Sequence, residues 1–326
     1  MMNANYLLPF QHRLIAQVNT ALDEVNAGKN SHGLLLVGAS GTGKTFSLDA
    51  LCEEVGERLS PPTPMQYQPI SPICRTSATT KADASTTAGE LLRLLGKPVK
   101  GSSRTGIIQL ESDLLAALVA RQVKMLVFEE FQNAMLSGSP QLRGQTARLL
   151  KNIWNMRPAE SSQSWAKPAP GRGDARLVIV VSGTEELLKV FEKDKELGSR
   201  FSTIIYAHTL DFSPPESFKA FRSVLHQMAE LESLTDQLDV NDDAVAARML
   251  LACNSHLRLL EKLLQRTGTL RRRSEHRNAS MNEILTKAYE QVGGVEADNP
   301  FLFDGNQLAQ RVSRRIQLLK NRKNML

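Results

Sequence analysis

The chain has 326 residues, of which 41% are hydrophobic and 23% charged, and its formal net charge is +6. This is the composition of an ordinary globular protein of one large or two modest domains. No run of 18 apolar residues exists, which excludes a bilayer-spanning helix.

Met1 to Arg13 lacks the basic-then-apolar order of a secretory signal. An amphipathic helix is predicted over Gln11 to Asn26, apolar at Leu14, Ile15, Val18, Leu22 and Val25. Asn30 to Gly33 breaks that pattern, and the apolar run Leu34 to Val37 reads as a buried parallel strand. Gly38 to Gly43 is a turn and Lys44 to Leu59 a second helix. Pro61, Pro62, Pro64, Pro69 and Pro72 impose an extended connection. Lys124 to Phe128 and Leu177 to Val181 repeat the strand pattern, separated by a Pro-, Ser- and Gly-rich loop from Arg157 to Asp174. Buried strands alternating with helices predict an α/β fold with a central parallel sheet. Beyond Pro214 only helical periodicity remains, over Ser217 to Glu232, Asp242 to Ala252, His256 to Thr267 and Met281 to Val292, followed by a basic, helix-like tail. The expected organisation is a lead-in over 1–30, an α/β nucleotide-binding domain over 31–212, a helical lid over 213–295 and a tail over 296–326. The positive charge gathers at Arg271 to Arg277 and at Arg311 to Lys323. Such clusters suit nucleic acid or an anionic surface, and equally a solvated helix face. Cys52, Cys74 and Cys253 have neither a disulfide framework nor zinc spacing and read as thiols of a reducing cytoplasm.

The chemistry concentrates at the predicted strand ends, where open parallel sheets bind ligands. Gly38-Ala39-Ser40-Gly41-Thr42-Gly43-Lys44-Thr45 matches G-x-x-x-x-G-K-[ST] in full. Backbone N–H groups of Gly38, Ser40, Gly41, Thr42 and Gly43 would cradle phosphates at a helix N-terminus. Lys44 would reach the β- and γ-phosphates of ATP, and the Thr45 hydroxyl would ligate Mg²⁺. The strand ending in Glu129-Glu130 supplies the acids: Glu129 for the metal shell and Glu130 to polarise the attacking water. Glu129 stands where aspartate is usual, which points to slow turnover. Thr184, rather than Ser182, is a candidate γ-phosphate sensor, with capping of the helix that follows as the alternative role. Arg200, in Gly198-Ser199-Arg200-Phe201, could reach a nucleotide held by a neighbouring subunit. Arg258 is a candidate second sensor within the helical region. The six histidines have no metal-binding spacing.

This order of motifs resembles the AAA+ ATPases, and the details resemble the TniB/TnsC family of bacterial transposition regulators. The likeness rests on Leu34 to Thr45, on Met125 to Asn133, on Ser182 to Glu186 and on Leu197 to Phe201. It implies an ATP- and Mg²⁺-dependent ATP hydrolase of the bacterial cytoplasm, associated with the nucleoid, that assembles as a homo-oligomeric ring or filament on double-stranded DNA. It further implies that the assembly links target selection to a transposase through a target-selection protein or complex. Lys44, Thr45, Glu129 and Glu130 would lie on one side of an inter-subunit ATP site, with Arg200 coming from the next protomer. Lys97, Lys100 and Arg104, in a glycine-flanked basic loop, would neutralise DNA phosphates. Three alternatives stay open: a replication helicase loader or initiator, a low-turnover ATP-binding scaffold, and a P-loop kinase acting on a small molecule, against which the long helical C-terminal part and the Ser-Arg-Phe element count.

Overall fold

A computed structural model of the chain describes residues 8–59, 72–78, 83–97, 106–155, 176–273 and 278–323. The expected loop over 157–174 and most of the proline-rich connection lie outside these residues. The chain divides into two compact units.

The first unit comprises residues 10–39 and 44–207. Its centre is a five-stranded, all-parallel sheet in the order β2-β3-β4-β1-β5, formed by β1 (His32–Val37), β2 (Ile73–Ser77), β3 (Met125–Glu129), β4 (Val178–Gly183) and β5 (Thr203–Tyr206). The three strands read from apolar runs, β1, β3 and β4, form the middle of the sheet. Strands covered on both faces read as continuous hydrophobic runs. Their side chains are buried almost throughout. β2 was not predicted. Only two of its five residues are buried, because it is an edge strand, and Ile-Cys-Arg-Thr-Ser carries no apolar run.

The helices of this unit are α1 (Pro9–Asn26), α2 (Lys44–Leu59), α3 (Ala84–Leu94), α4 (Gly106–Ala120), α5 (Gln132–Leu136), α6 (Pro140–Trp154), α7 (Glu186–Lys193) and α8 (Lys195–Arg200). α3 starts on a capping box in which Asp83 and Thr86 satisfy each other's backbone N–H. Apolar faces of α3 to α8 pack on the sheet in a core that includes Leu35, Leu126, Phe128, Phe131, Ile179, Phe191 and Phe201. The register pairs Val37 with Gly183 and Ser77 with Glu129, so the carboxyl ends of β1 to β4 lie level.

The second unit groups Met1–Pro9, Ser40–Gly43 and His208–Leu326. Its helices are α9 (Pro215–Leu231), α10 (Asp243–Cys253), α11 (Leu257–Arg271), α12 (Met281–Gln291) and α13 (Gly305–Lys323). The basic tail is thus α13. Its inner face is fixed by Arg315, which binds the buried Asp211. No helix among the described residues is long and apolar enough to cross a membrane.

Candidate nucleotide site

In the α/β unit, β1 runs straight into Gly38, and α2 begins at Lys44. Lys44 is only 5% exposed, and its Nζ donates to the carbonyl oxygens of Gly38 and Ala39, both at 2.8 Å. Burial pulls its pKa below the ordinary lysine value, partly opposed by the Glu130 carboxylate. A desolvated ammonium at the N-terminus of a four-turn helix is chemically fitted to an anion. Thr45 follows it at the exposed start of α2.

Glu129 and Glu130 lie where β3 ends, and they differ sharply in their surroundings. Glu129 is 8% exposed, and its Oε1 accepts from Arg75 Nε at 2.6 Å. Arg75, on β2, also pairs with Asp49 of α2 and points Nη2 at the Thr45 carbonyl, 3.4 Å away. Burial works against the guanidinium's charge, but Glu129 and Asp49 outweigh it and hold Arg75 more firmly protonated than usual. Arg75 therefore competes with any cation for Glu129, a feature missed in sequence because β2 was missed. Glu130 follows with left-handed backbone, φ 48°. Its Oε2 accepts from Gln132 Nε2 at 2.7 Å.

Thr184 follows β4, with its backbone N–H on Gln132 Oε1 at 3.3 Å. Its hydroxyl oxygen is buried without a hydrogen-bond partner. The alternative capping role is not observed, since α7 has no side-chain cap bond. An orphaned hydroxyl of this kind calls for a ligand or water.

Arg200 is the last residue of α8 and is anchored to α6. Its guanidinium lies 5.3 Å from the Trp154 ring centroid, and Nη2 donates to Asn155 Oδ1 at 3.3 Å. Nη1 is buried without a hydrogen bond, 3.6 Å from Glu196. Lys151 of α6 fastens α8 further by binding Asp194 and Glu196.

In the helical unit, the turn Ser40–Gly43 packs against the start of α11. Leu257 N–H donates to the Gly41 carbonyl at 3.0 Å. Gly41 and Gly43 have φ +80° and +87°. A Cβ on Gly41 would strike His256, and one on Gly43 would strike Leu8. Glycine is thus required twice over, by backbone conformation and by contact. His256 was not singled out in sequence, because a lone histidine between helices carries no signal by itself. Arg258, two residues on, is exposed at the start of α11. Thr42 is buried, and Lys97 is exposed just after α3, while Lys100 and Arg104 lie outside the described residues.

The residues fit ATP with Mg²⁺. Lys44 and the α2 N-terminus suit phosphates, and the Thr45 hydroxyl with one carboxylate supplies hard oxygen donors. Mg²⁺ is commonly held by one or two carboxylates plus substrate phosphates. No cluster of three or more His, Cys, Asp or Glu able to hold a metal by itself occurs among the described residues.

Residues 9–157 match the model of the TniB family, described as Bacterial TniB protein. No curated protein matches the chain. Among solved structures it is similar to Cdc6p from Pyrobaculum aerophilum, with TM-score 0.59 and 16% identity over 89% of this chain and 69% of that one. It is also similar to the Aeropyrum pernix ORC1 protein in complex with DNA, with TM-score 0.56 and 16% identity over 89% and 67% of the two chains. For Drosophila ORC bound to DNA the TM-score is 0.54, with 14% identity over 89% of this chain and 63% of that one. Identities this low establish the fold alone, an α/β domain with a helical C-terminal region like that of Cdc6p and ORC1.

Proposed function

We propose that this chain, whose residues 9–157 match the TniB family model, is an AAA+ ATPase and an ATP-driven switch that assembles on double-stranded DNA and regulates DNA transposition. The observation that carries the reading is the desolvated Lys44 at the N-terminus of α2, which follows β1 as Glu130 follows β3 and the unpaired Thr184 hydroxyl follows β4. Lys44 and the N–H groups of Gly38 to Thr45 bind the phosphates of ATP. Thr45 and Glu129 would hold Mg²⁺, with Glu129 giving up its bond to Arg75, and the ion would neutralise charge on the phosphates. Glu130 takes the proton of the attacking water, and Thr184 senses the γ-phosphate. Arg258, in the helical unit, keeps its proposed role as a second sensor.

Arg200 acts from one protomer on the nucleotide of the next. To do so it leaves Trp154 and Asn155, so assembly and hydrolysis are coupled by a side chain with two addresses. Lys97, Lys100 and Arg104 supply phosphate contacts to DNA, as sequence-independent binding requires. DNA association is supported by the TniB match together with the basic balance of the chain, and two similar structures are of proteins bound to DNA. The transposase and a target-selection protein are the partners that the TniB match suggests, in the bacterial nucleoid.

The test is ATP hydrolysis and sedimentation with and without duplex DNA, for wild type, Lys44→Ala, Glu130→Gln and Arg200→Ala. Large assemblies that need both ATP and DNA are expected. Lys44→Ala abolishes them, Glu130→Gln traps them, and Arg200→Ala assembles without hydrolysing. A wild type that stays monomeric on DNA, with an Arg200→Ala variant of normal turnover, would refute the switch.

A further inference from the structure

Gln132 stands between two groups that the ATPase reading uses, and the sequence reading gave it no role. It is the first residue of the short α5 and is 9% exposed. Its carboxamide does two things at once. Nε2 donates to Glu130 Oε2 at 2.7 Å, and Oε1 accepts from the Thr184 backbone N–H at 3.3 Å. The two partners fix which end of the amide is which: a carboxylate only accepts, and a backbone N–H only donates. Glutamine is the uncharged side chain of this length with one donor end and one acceptor end. Glutamate would face Glu130 with a second carboxylate, and methionine would keep the length and lose both bonds.

The surroundings are shaped around that bridge. A Cβ on Gly183 would lie 2.5 Å from Gln132 Oε1, so glycine at the end of β4 makes room for the amide. The turn that carries Glu130 is tied to both neighbouring strands. Phe131 N–H donates to the Ser182 carbonyl at 2.9 Å, and Asn133 Nδ2 to the Ala78 carbonyl at 3.1 Å. The backbone around Glu130 is therefore held on both sides. What remains free is its side chain, and Gln132 supplies the contact that sets it.

We propose that Gln132 is a positioning residue that fixes the orientation of the Glu130 carboxylate and ties it to the backbone of Thr184. One oxygen of the acid is occupied by the amide, and the other is presented to water. A shift of Thr184 when its hydroxyl meets a phosphate is transmitted through one amide to the acid that takes the water's proton. The inference rests on the ATPase reading above and adds to it how the acid and the sensor are coupled.

The experiment compares wild type, Gln132→Met, Glu130→Gln and the double variant, in the full chain with duplex DNA. It reads kcat, KM for ATP, the affinity for a fluorescent ATP analogue, and the melting temperature. For Gln132→Met, kcat is expected to fall roughly ten- to hundredfold, the usual worth of one hydrogen bond to a charged group. KM and analogue affinity stay within twofold, because the two side-chain hydrogen bonds of Gln132 go to Glu130 and Thr184 and neither goes to the nucleotide-binding turn. In the Glu130→Gln background the same substitution has no further effect, since it acts only through that acid. Gln132→Asn, which keeps the amide on a shorter stem, recovers part of the rate. Unchanged or raised turnover in Gln132→Met overturns the proposal. So does a loss of analogue affinity equal to the loss of kcat, which would mark general damage to the fold. A wild type that binds the analogue and hydrolyses no ATP would instead remove the ATPase reading itself, and the coupling with it.

Discussion

Truncating Arg315 should cost the helical unit more than any other single surface-reaching side chain of α13. The guanidinium is 29% exposed, but Asp211, its partner, is 3% exposed. Nε lies 3.1 Å and Nη2 2.7 Å from Asp211 Oδ2, and Nη1 reaches Asn254 Oδ1 at 2.6 Å. Ser255 adds a hydroxyl hydrogen bond to the same carboxylate at 2.8 Å. Breaking a buried pair by removing one member costs about 3–5 kcal/mol, because the other charge stays buried and uncompensated. Arg315 is partly solvated, and Asp211 keeps its bonds from Ser255 and the Phe212 N–H. The estimate for Arg315→Ala therefore drops to about 2–3 kcal/mol. At about 2–4 °C per kcal/mol for a protein of this size class, the melting temperature falls by roughly 4–12 °C. Arg315→Lys should recover little, since a single ammonium cannot reproduce the forked contact. Denaturant unfolding of Arg315→Ala, Asp211→Asn and the double variant measures the coupling between them. A coupling below about 0.5 kcal/mol, or an Arg315→Ala variant as stable as wild type, would refute the reasoning.

Four further outcomes are expected. Gly41→Val, which forces a β-branched residue to φ +80° and drives its Cβ into His256, should weaken nucleotide binding at least tenfold in a fluorescence titration. Burial raises the thiols of Cys74 and Cys253 to about 12 and that of Cys52 above its usual value, so a thiol reagent at pH 8 should label the native protein slowly and all three sites once unfolded. A raised thiol keeps its proton in the folded chain while the unfolded chain loses it, so unfolding free energy should fall as pH rises from about 9 towards 12, as denaturant melts would record. Arg75→Met removes the cation that shares Glu129 and should lower the Mg²⁺ concentration for half-maximal hydrolysis; a higher requirement would show that Arg75 helps to orient the acid instead.

The parts of the fold that repeat a physical rule were legible in sequence. Buried central strands wrote themselves as Leu34 to Val37, Lys124 to Phe128 and Leu177 to Val181, and the amphipathic helices beyond Pro214 were legible by period. The edge strand β2 was not, because exposed edges need no apolar run, and Arg75 was lost with it. The nucleotide turn was readable because its glycines, lysine and threonine are contiguous. His256 and Arg315 were not, because their roles come from partners distant in the chain, and Gln132 was not, because its bridge from nearby Glu130 ends on Thr184, 52 positions away. Thr184 was named for its position after a strand, and its orphaned hydroxyl became visible only with the packing.

The bend between α10 and α11 sets a timetable for the growing chain. Asn254 and Ser255 both carry positive φ, 46° and 63°, and the next residues, His256 and Leu257, meet the turn at Gly41. Non-glycine residues in that conformation cost of order 1–3 kcal/mol each unless their surroundings hold them, asparagine being the more tolerant. Here the holding group is Arg315, which reaches Asn254 and Ser255 across 61 and 60 positions of sequence. At about 5–20 residues per second, the ribosome delivers the clamp roughly 3–12 seconds after the bend it secures. A nascent chain would thus carry its phosphate-binding turn early and gain the firm seat for it only when the last helix closes.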